Sequence, residues 1–152
     1  MSTAPFFMIH GLNGLRRALG TPRCLNSCPV ATGAHKAVVL VVDDEPAIRL
    51  LCTVNLELDG YDVREAGTLE EAREHLQGGV DAVLLDMHVG ADRGEVLLEE
   101  LIERRIPVAV VTGSTELDVA RGRADAVLGK PFTIDELEAT VARLVAQGTS
   151  RL

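Results

Sequence analysis

Four short apolar runs recur between residues 37 and 129, and this recurrence constrains the fold more than any other feature. Residues 37–42 and 107–111 are continuously apolar, which is typical of strands buried on both faces of a parallel sheet. Residues 80–85 and 124–129 carry one Asp each in otherwise apolar runs. Segments with helical spacing of apolar residues separate the runs. The sequence therefore predicts a parallel sheet that right-handed crossovers cover with helices on both faces.

The remaining elements follow from shorter signals. Residues 61–65 alternate like a half-buried or edge strand. The pattern at 94–104 predicts a helix, and that at 114–122 predicts a short, weak one. Thr68 and Thr133 each precede a helical segment, with Glu71 and Glu136 three residues on, so both helices are predicted to begin with a capping box. The first helix ends at Gly60, and its apolar positions follow helical spacing at Ala47, Leu50, Leu51, Val54 and Leu58.

A polar group with phosphoryl-transfer chemistry follows each of the four apolar runs. In chain order these groups are Asp43 with Asp44, Asp86, Thr112 and Lys130. Ligands of open α/β sheets bind at the carboxyl edge of the strands, where all four groups are expected to meet. Three carboxylates at one place need a counter-charge, and Mg²⁺ prefers such oxygen ligands. Each residue alone could be a helix cap, a turn residue or a surface charge, but four in order favour a site.

Within this site, Asp86 stands apart from the acid pair and is the predicted nucleophile. A carboxylate can accept a phosphoryl group as an aspartyl phosphate. The Thr112 hydroxyl can donate a hydrogen bond to a phosphoryl oxygen, and Lys130 adds a positive charge. Catalysis would consist of positioning and charge neutralisation.

Four motifs in order resemble the signature of response-regulator receiver domains of two-component signalling. They are Val41-Val-Asp-Asp-Glu-Pro46, Leu85-Asp-Met87, Val111-Thr-Gly113 and Lys130-Pro-Phe132. The resemblance covers about residues 37–147 and implies a flavodoxin-like (βα)5 fold, a doubly wound parallel sheet with strand order 2-1-3-4-5. It also implies that a histidine kinase or histidine phosphotransfer protein supplies the phosphoryl group, and that a partner-binding face responds.

The resemblance also implies a role for each site residue. Asp44 would bind Mg²⁺ directly, Asp43 largely through water, and the backbone carbonyl of His88 would complete the protein ligands with Asp86. Asp86 would also be the phosphoryl acceptor. Thr112 would be the switch hydroxyl and Lys130 the phosphate partner, and the peptide bond between Lys130 and Pro131 is usually cis in this family.

Three departures from the family pattern concern signal output. Val127 stands where the family commonly has an aromatic residue, and Gly90 where it often has Pro. Thr112 and Lys130 are about one helical turn closer in sequence than usual, which predicts a shortened fourth helix. An alternative is therefore a receiver-like protein-interaction module that works without phosphorylation. A phosphatase with an aspartyl-phosphate intermediate is disfavoured, because His88 stands where such enzymes carry a second Asp.

Charge divides the chain of 152 residues near position 35. Residues 1–35 hold three Arg and no acidic residue; with a net charge of −8 overall, residues 36–152 carry −11. We expect a basic N-terminal extension at 1–35, disordered or weakly helical, a receiver domain at 36–147 and a tail at 148–152. The acidic balance argues against a nucleic-acid partner. No apolar run approaches a membrane span of about 20 residues.

The three cysteines and the end of the chain give two further expectations. Cys24, Cys28 and Cys52 are predicted to be reduced thiols of a cytoplasmic protein. A metal site built from Cys24, Cys28, His10 and His35 is disfavoured, because its spacing does not match common zinc sites. The chain ends shortly after its last predicted helix, so we expect a stand-alone receiver that is a monomer or weak dimer.

Overall fold

The computed structural model describes residues 36–113 and 120–149. The strands in this part of the chain are β1 (Val38–Val42), β2 (Asp62–Ala66), β3 (Ala82–Asp86), β4 (His88–Val89), β5 (Asp92–Arg93), β6 (Val108–Thr112) and β7 (Ala126–Gly129). The helices are α1 (Pro46–Leu58), α2 (Leu69–Gln77), α3 (Gly94–Glu103) and α4 (Ile134–Thr149). The extension at 1–35, with Cys24, Cys28, His10 and His35, lies outside the described residues. So do the tail end at 150–152 and most of the predicted helix at 114–122.

Five strands form a parallel sheet in the order β2-β1-β3-β6-β7. This is the predicted order 2-1-3-4-5, because β6 and β7 are the fourth and fifth strands of the main sheet. The register places Val39 of β1 beside Val63 of β2 and Ala82 of β3. The flavodoxin-like fold is confirmed. The two short strands β4 and β5 form a separate antiparallel hairpin that the sequence did not predict.

The core consists of two apolar layers, one on each face of the sheet. Alternate residues of β1 point to opposite faces, so Leu40 and Val42 pack with α2 and α3, whereas Val39 and Val41 pack with α1 and α4. Since β3 and β6 are buried along their whole length, the central strands are covered on both faces. This arrangement fixes the carboxyl ends of β1, β3 and β6 beside one another.

Helix α1 carries apolar residues on two opposite sides. Cys52 and Leu56 are buried against the sheet, with Ile48 packed beside them. The apolar stripe that the sequence displays most clearly faces solvent instead, and 60% of Leu50 and 82% of Leu58 are exposed. Leu51 and Val54 of the same stripe are also exposed, so α1 presents an apolar outer face formed by Leu50, Leu51, Val54 and Leu58.

Both predicted helix caps are present, with one difference. The Thr133 hydroxyl accepts the Glu136 N–H at 3.3 Å, and the Glu136 carboxylate accepts the Thr133 N–H at 2.8 Å. Thr68 accepts the Glu71 N–H in the same way, but the Glu71 carboxylate takes the N–H of Gly67 rather than that of Thr68. Of the helices in the described ranges, none combines the length and the apolar character needed to cross a membrane.

Candidate metal and phosphoryl site

The predicted site residues meet at the carboxyl edge of the sheet. Asp43 and Asp44 follow β1, Asp86 ends β3, Thr112 ends β6 and Lys130 follows β7. These strands are neighbours in the sheet, so the parallel register itself brings their ends together. The structure thus joins the acid pair, the third acid and the lysine in one cluster, with Thr112 at the end of the adjoining strand.

Three carboxylates form the centre of this cluster. One oxygen from each of Asp43, Asp44 and Asp86 lies within 4.8 Å of the others. Asp43 and Asp86 are buried, whereas Asp44 is exposed, so the cluster is enclosed on one side and reaches solvent on the other. A set of hard oxygen donors with an open, hydrated side fits a divalent cation that retains water ligands. These residues could therefore hold a metal ion.

Lys130 joins the two buried carboxylates. Its Nζ donates to Asp43 Oδ2 and to Asp86 Oδ2, each at 2.8 Å. Burial opposes the charge of this ammonium, but its hydrogen bonds to the two carboxylates outweigh burial and raise the pKa of Lys130. For Asp43, burial opposes the negative charge and so raises the pKa, although the hydrogen bond from Lys130 counteracts that effect. One positive charge thus lies directly between two acids.

Backbone N–H groups hold one oxygen of each carboxylate. Asp43 Oδ1 accepts the Glu45 N–H at 2.8 Å, and Asp86 Oδ1 accepts the His88 N–H at 3.1 Å. Asp44 Oδ2 accepts the N–H of Gly90 at 3.1 Å, and Gly90 lies in the turn between β4 and β5. Gly90 has a φ of 64°, which favours glycine at this position. The hairpin thus anchors the exposed acid.

The Thr112 strand end connects directly to Lys130. The main-chain oxygen of Thr112 accepts the Lys130 N–H at 2.8 Å, and the peptide bond between Lys130 and Pro131 is cis, as the family resemblance implies. The Thr112 side chain is buried, and its hydroxyl donates to the main-chain oxygen of Gly113 at 3.4 Å. The roles of the Thr112 hydroxyl and of the His88 carbonyl stay predictions.

Sequence reasoning missed two contributors to this site, Gly90 and Arg49. In the sequence, Gly90 is only a departure from the family pattern, because its N–H contact with Asp44 has no side-chain signature. The sequence pattern indicates no role for Arg49, yet its guanidinium donates to the main-chain oxygen of Asp43 at 2.6 Å. The only signal available was a basic residue in the first turn of a helix that follows an acid pair.

Comparison with known proteins identifies the same region. The family model for the response regulator receiver domain matches residues 39–142. The transcriptional regulatory protein AruR of Pseudomonas aeruginosa is 36% identical over 118 residues, which cover 70% of this chain and 48% of that protein. The sensor kinase CckA of Brucella abortus is 37% identical over 118 residues, covering 72% of this chain and 12% of the kinase.

Solved structures show the same likeness. A receiver domain protein described as CheY-like, from Methanospirillum hungatei, superposes with a TM-score of 0.71 at 25% identity, covering 78% of this chain and all of that chain. A receiver domain from Clostridium thermocellum gives a TM-score of 0.70 at 27% identity, covering 76% and 99% of the two chains. In contrast, this chain spans about half the length, or less, of the curated relatives described above.

Proposed function

This chain belongs to the response regulator receiver domain family of two-component signalling, and we propose that Asp86 is its phosphoryl acceptor. The observation that carries the proposal is the position of the Asp86 carboxylate: it accepts a hydrogen bond from Lys130 Nζ at 2.8 Å, and one of its oxygens lies within 4.8 Å of oxygens of Asp43 and Asp44. The phosphoryl donor would be a histidine kinase or a histidine phosphotransfer protein. The reaction would depend on Mg²⁺ bound by Asp43, Asp44 and Asp86, with the His88 carbonyl as a further ligand.

The chemistry at Asp86 is a simple displacement. A carboxylate oxygen of Asp86 attacks the phosphorus of phosphohistidine, the P–N bond breaks, and the imidazole leaves with the electron pair and takes up a proton. Bound Mg²⁺ would supply positive charge that neutralises the acids and the incoming phosphoryl oxygens. The hydrogen bonds from the N–H of His88 and from Lys130 orient the carboxylate before the reaction. Afterwards, the Lys130 ammonium and the Thr112 hydroxyl would pair with phosphoryl oxygens.

Phosphorylation would change a surface that binds a protein partner, and it would not act on a bound substrate. The new group adds about −1.5 to −2 charges to an acidic site, and drawing Lys130 and Thr112 toward it biases a pre-existing conformational equilibrium. A protein partner that reads this bias is the proposed output. The apolar outer face of α1 supports protein docking, because this helix begins two residues after Asp44 and exposes several large apolar side chains together.

A phosphorylation assay tests the acceptor role. The protein is incubated with acetyl phosphate with or without Mg²⁺ and resolved on a phosphate-affinity gel. We expect a Mg²⁺-dependent mobility shift that is stable in acid, labile in base and absent from Asp86→Asn. Persistence of the shift in Asp86→Asn would move the acceptor elsewhere, and absence of any shift in the wild-type protein would overturn the proposal.

A second candidate function is protein binding that does not depend on phosphorylation. Val127 supports it, because this side chain is half-buried and packs against the core on the α2 and α3 side. A short aliphatic residue cannot exchange between buried and exposed rotamers as a long aromatic one can. Calorimetry with a captured partner decides between the candidates. Equal affinity for the wild-type protein, Asp86→Asn and the beryllofluoride-treated protein would favour phosphorylation-independent binding.

A further inference from the structure

Arg49 lies where the usual electrostatics of a helix disfavour it. It occupies the first turn of α1, near the positive end of the helix dipole, where basic residues are destabilising. Its side chain is nevertheless only 18% exposed, and it extends back over the start of the helix toward the end of β1. We propose that Arg49 is a positioning residue that fixes the acid pair and thereby sets the Mg²⁺ affinity of the site. The metal in this inference rests on the proposed function.

The contact that carries the inference is with the backbone of Asp43. Arg49 Nη1 donates to the main-chain oxygen of Asp43 at 2.6 Å, while the Asp43 N–H donates to the main-chain oxygen of Ala66 in β2 at 3.1 Å. The backbone of Asp43 is therefore held on both sides. The same carbonyl belongs to the peptide unit that joins Asp43 to Asp44, so its direction determines how the two carboxylates are presented.

The guanidinium itself is held by groups at the end of β2. Arg49 Nε lies 3.6 Å from Glu65 Oε2. A methyl group added to Gly67 would lie 3.2 Å from Arg49 Nη1, so the missing side chain of Gly67 leaves the space that the guanidinium uses. Contact with a carbonyl at one edge and a carboxylate at another suits the planar fork of arginine, which the point charge of lysine cannot reproduce.

Positioning and simple electrostatics predict opposite effects on metal binding. Arg49 adds a positive charge near a cluster of three acids, so removal of that charge alone would strengthen cation binding. Loss of the hydrogen bond to Asp43 would instead leave the acid pair less well oriented. Substitution of residues that orient metal ligands typically lowers metal affinity about 10- to 100-fold. The sign of the change therefore identifies the role of Arg49.

The experiment measures Mg²⁺ binding to the full chain by isothermal titration calorimetry. Arg49→Met should bind Mg²⁺ about 10- to 100-fold more weakly than the wild-type protein, and Arg49→Lys should not restore the affinity fully. Gly67→Ala perturbs the guanidinium without removing it and should weaken binding in the same direction. Arg73→Met is the matched control, because it removes an arginine paired with a glutamate on α2 and α3, outside the metal cluster. It should leave Mg²⁺ affinity unchanged.

A metal-free measurement gives a second readout. In EDTA, amide hydrogen exchange at Glu45, whose N–H is bonded to Asp43 Oδ1, should accelerate in Arg49→Met but not in Arg73→Met. Unchanged or tighter Mg²⁺ binding by Arg49→Met, with far-UV circular dichroism showing a folded protein, would overturn the positioning role. If Arg49→Met does not fold, Gly67→Ala and Arg49→Lys decide by the same criterion. Failure of the wild-type protein to bind Mg²⁺ would instead overturn the metal in the proposed function.

Discussion

Replacement of Lys130 by methionine tests whether one ammonium group balances the buried acids. The Nζ of Lys130 donates at 2.8 Å to both Asp43 and Asp86, whose side chains are 3% and 10% exposed. Lys130→Met keeps most of the aliphatic stem but removes both hydrogen bonds and the charge. Two carboxylates that are buried close together then lack their cation.

The size of the effect follows from the burial of the three groups. Removal of one partner from a fully buried ion pair costs about 3–5 kcal/mol, and a hydrogen bond to a charged group contributes about 1.5–3 kcal/mol. The Lys130 side chain is 25% exposed, so water can partly replace it beside the acids. We therefore expect a loss of about 2–3 kcal/mol in the free energy of unfolding without metal. For a domain of this size that corresponds to a decrease of roughly 10 °C in Tm.

Urea unfolding followed by far-UV circular dichroism measures this loss. In EDTA, Lys130→Met should unfold at a lower urea concentration than the wild-type protein. Added Mg²⁺ should stabilise the variant more than the wild type, because a bound cation takes over the neutralising role of the ammonium. Lys36→Met is the matched control, since Lys36 is the other lysine of the sequence and is exposed. Equal stability of the wild-type protein and Lys130→Met in EDTA would refute the argument.

Three further predictions concern other parts of the domain. Burial raises the pKa of the Cys52 thiol from 9.0 to about 11, so with the other two cysteines changed to serine, Ellman's reagent should not react at pH 8 before unfolding. Because the folded-state pKa of Cys52 is raised, the stability that the protonated thiol contributes is complete below pH 9 and is lost as pH rises through about 11. In urea unfolding at several pH values, the wild-type protein should show this loss and Cys52→Ser should not. Gly90→Ala imposes a φ of 64° on a residue with a side chain, so it should loosen the contact with Asp44 and weaken Mg²⁺ binding in calorimetry, with about 1 kcal/mol lost in stability. A double-mutant cycle on Arg73 and Glu100, whose side chains are 41% and 35% exposed, should give a coupling energy below about 1 kcal/mol.

The grouping of the site residues could be predicted from the sequence because these residues lie at strand ends. Continuous apolar runs define β1 and β6, and a parallel sheet leaves little freedom in how their carboxyl ends meet. Given these strands, the parallel topology brings Asp43, Asp86 and Lys130 close together. Both helix caps could also be predicted, because their contacts span only a few residues of sequence.

The contacts that the sequence did not reveal involve the backbone. The Gly90 N–H reaches Asp44 only because β4 and β5 pair as a hairpin of two residues each, which is too short to give an alternating pattern. The contact between Arg49 and the Asp43 carbonyl is likewise independent of the side chain at position 43. Such contacts depend on the path of the backbone in the folded protein, and the types of the residues that make them give little indication of them.

Helix α1 carries two sets of apolar residues, one that specifies the fold and one that remains available for recognition. Its buried side, with Cys52 and Leu56, is narrow but sufficient to pack on the sheet. The additional apolar residues, Leu50 and Leu58 among them, contribute little to the core, because they remain largely exposed. Periodicity alone could locate the helix but could not distinguish its two apolar sides. Packing on the sheet does not account for this exposed apolar face, so it is the surface on which the proposed protein partner is expected to dock.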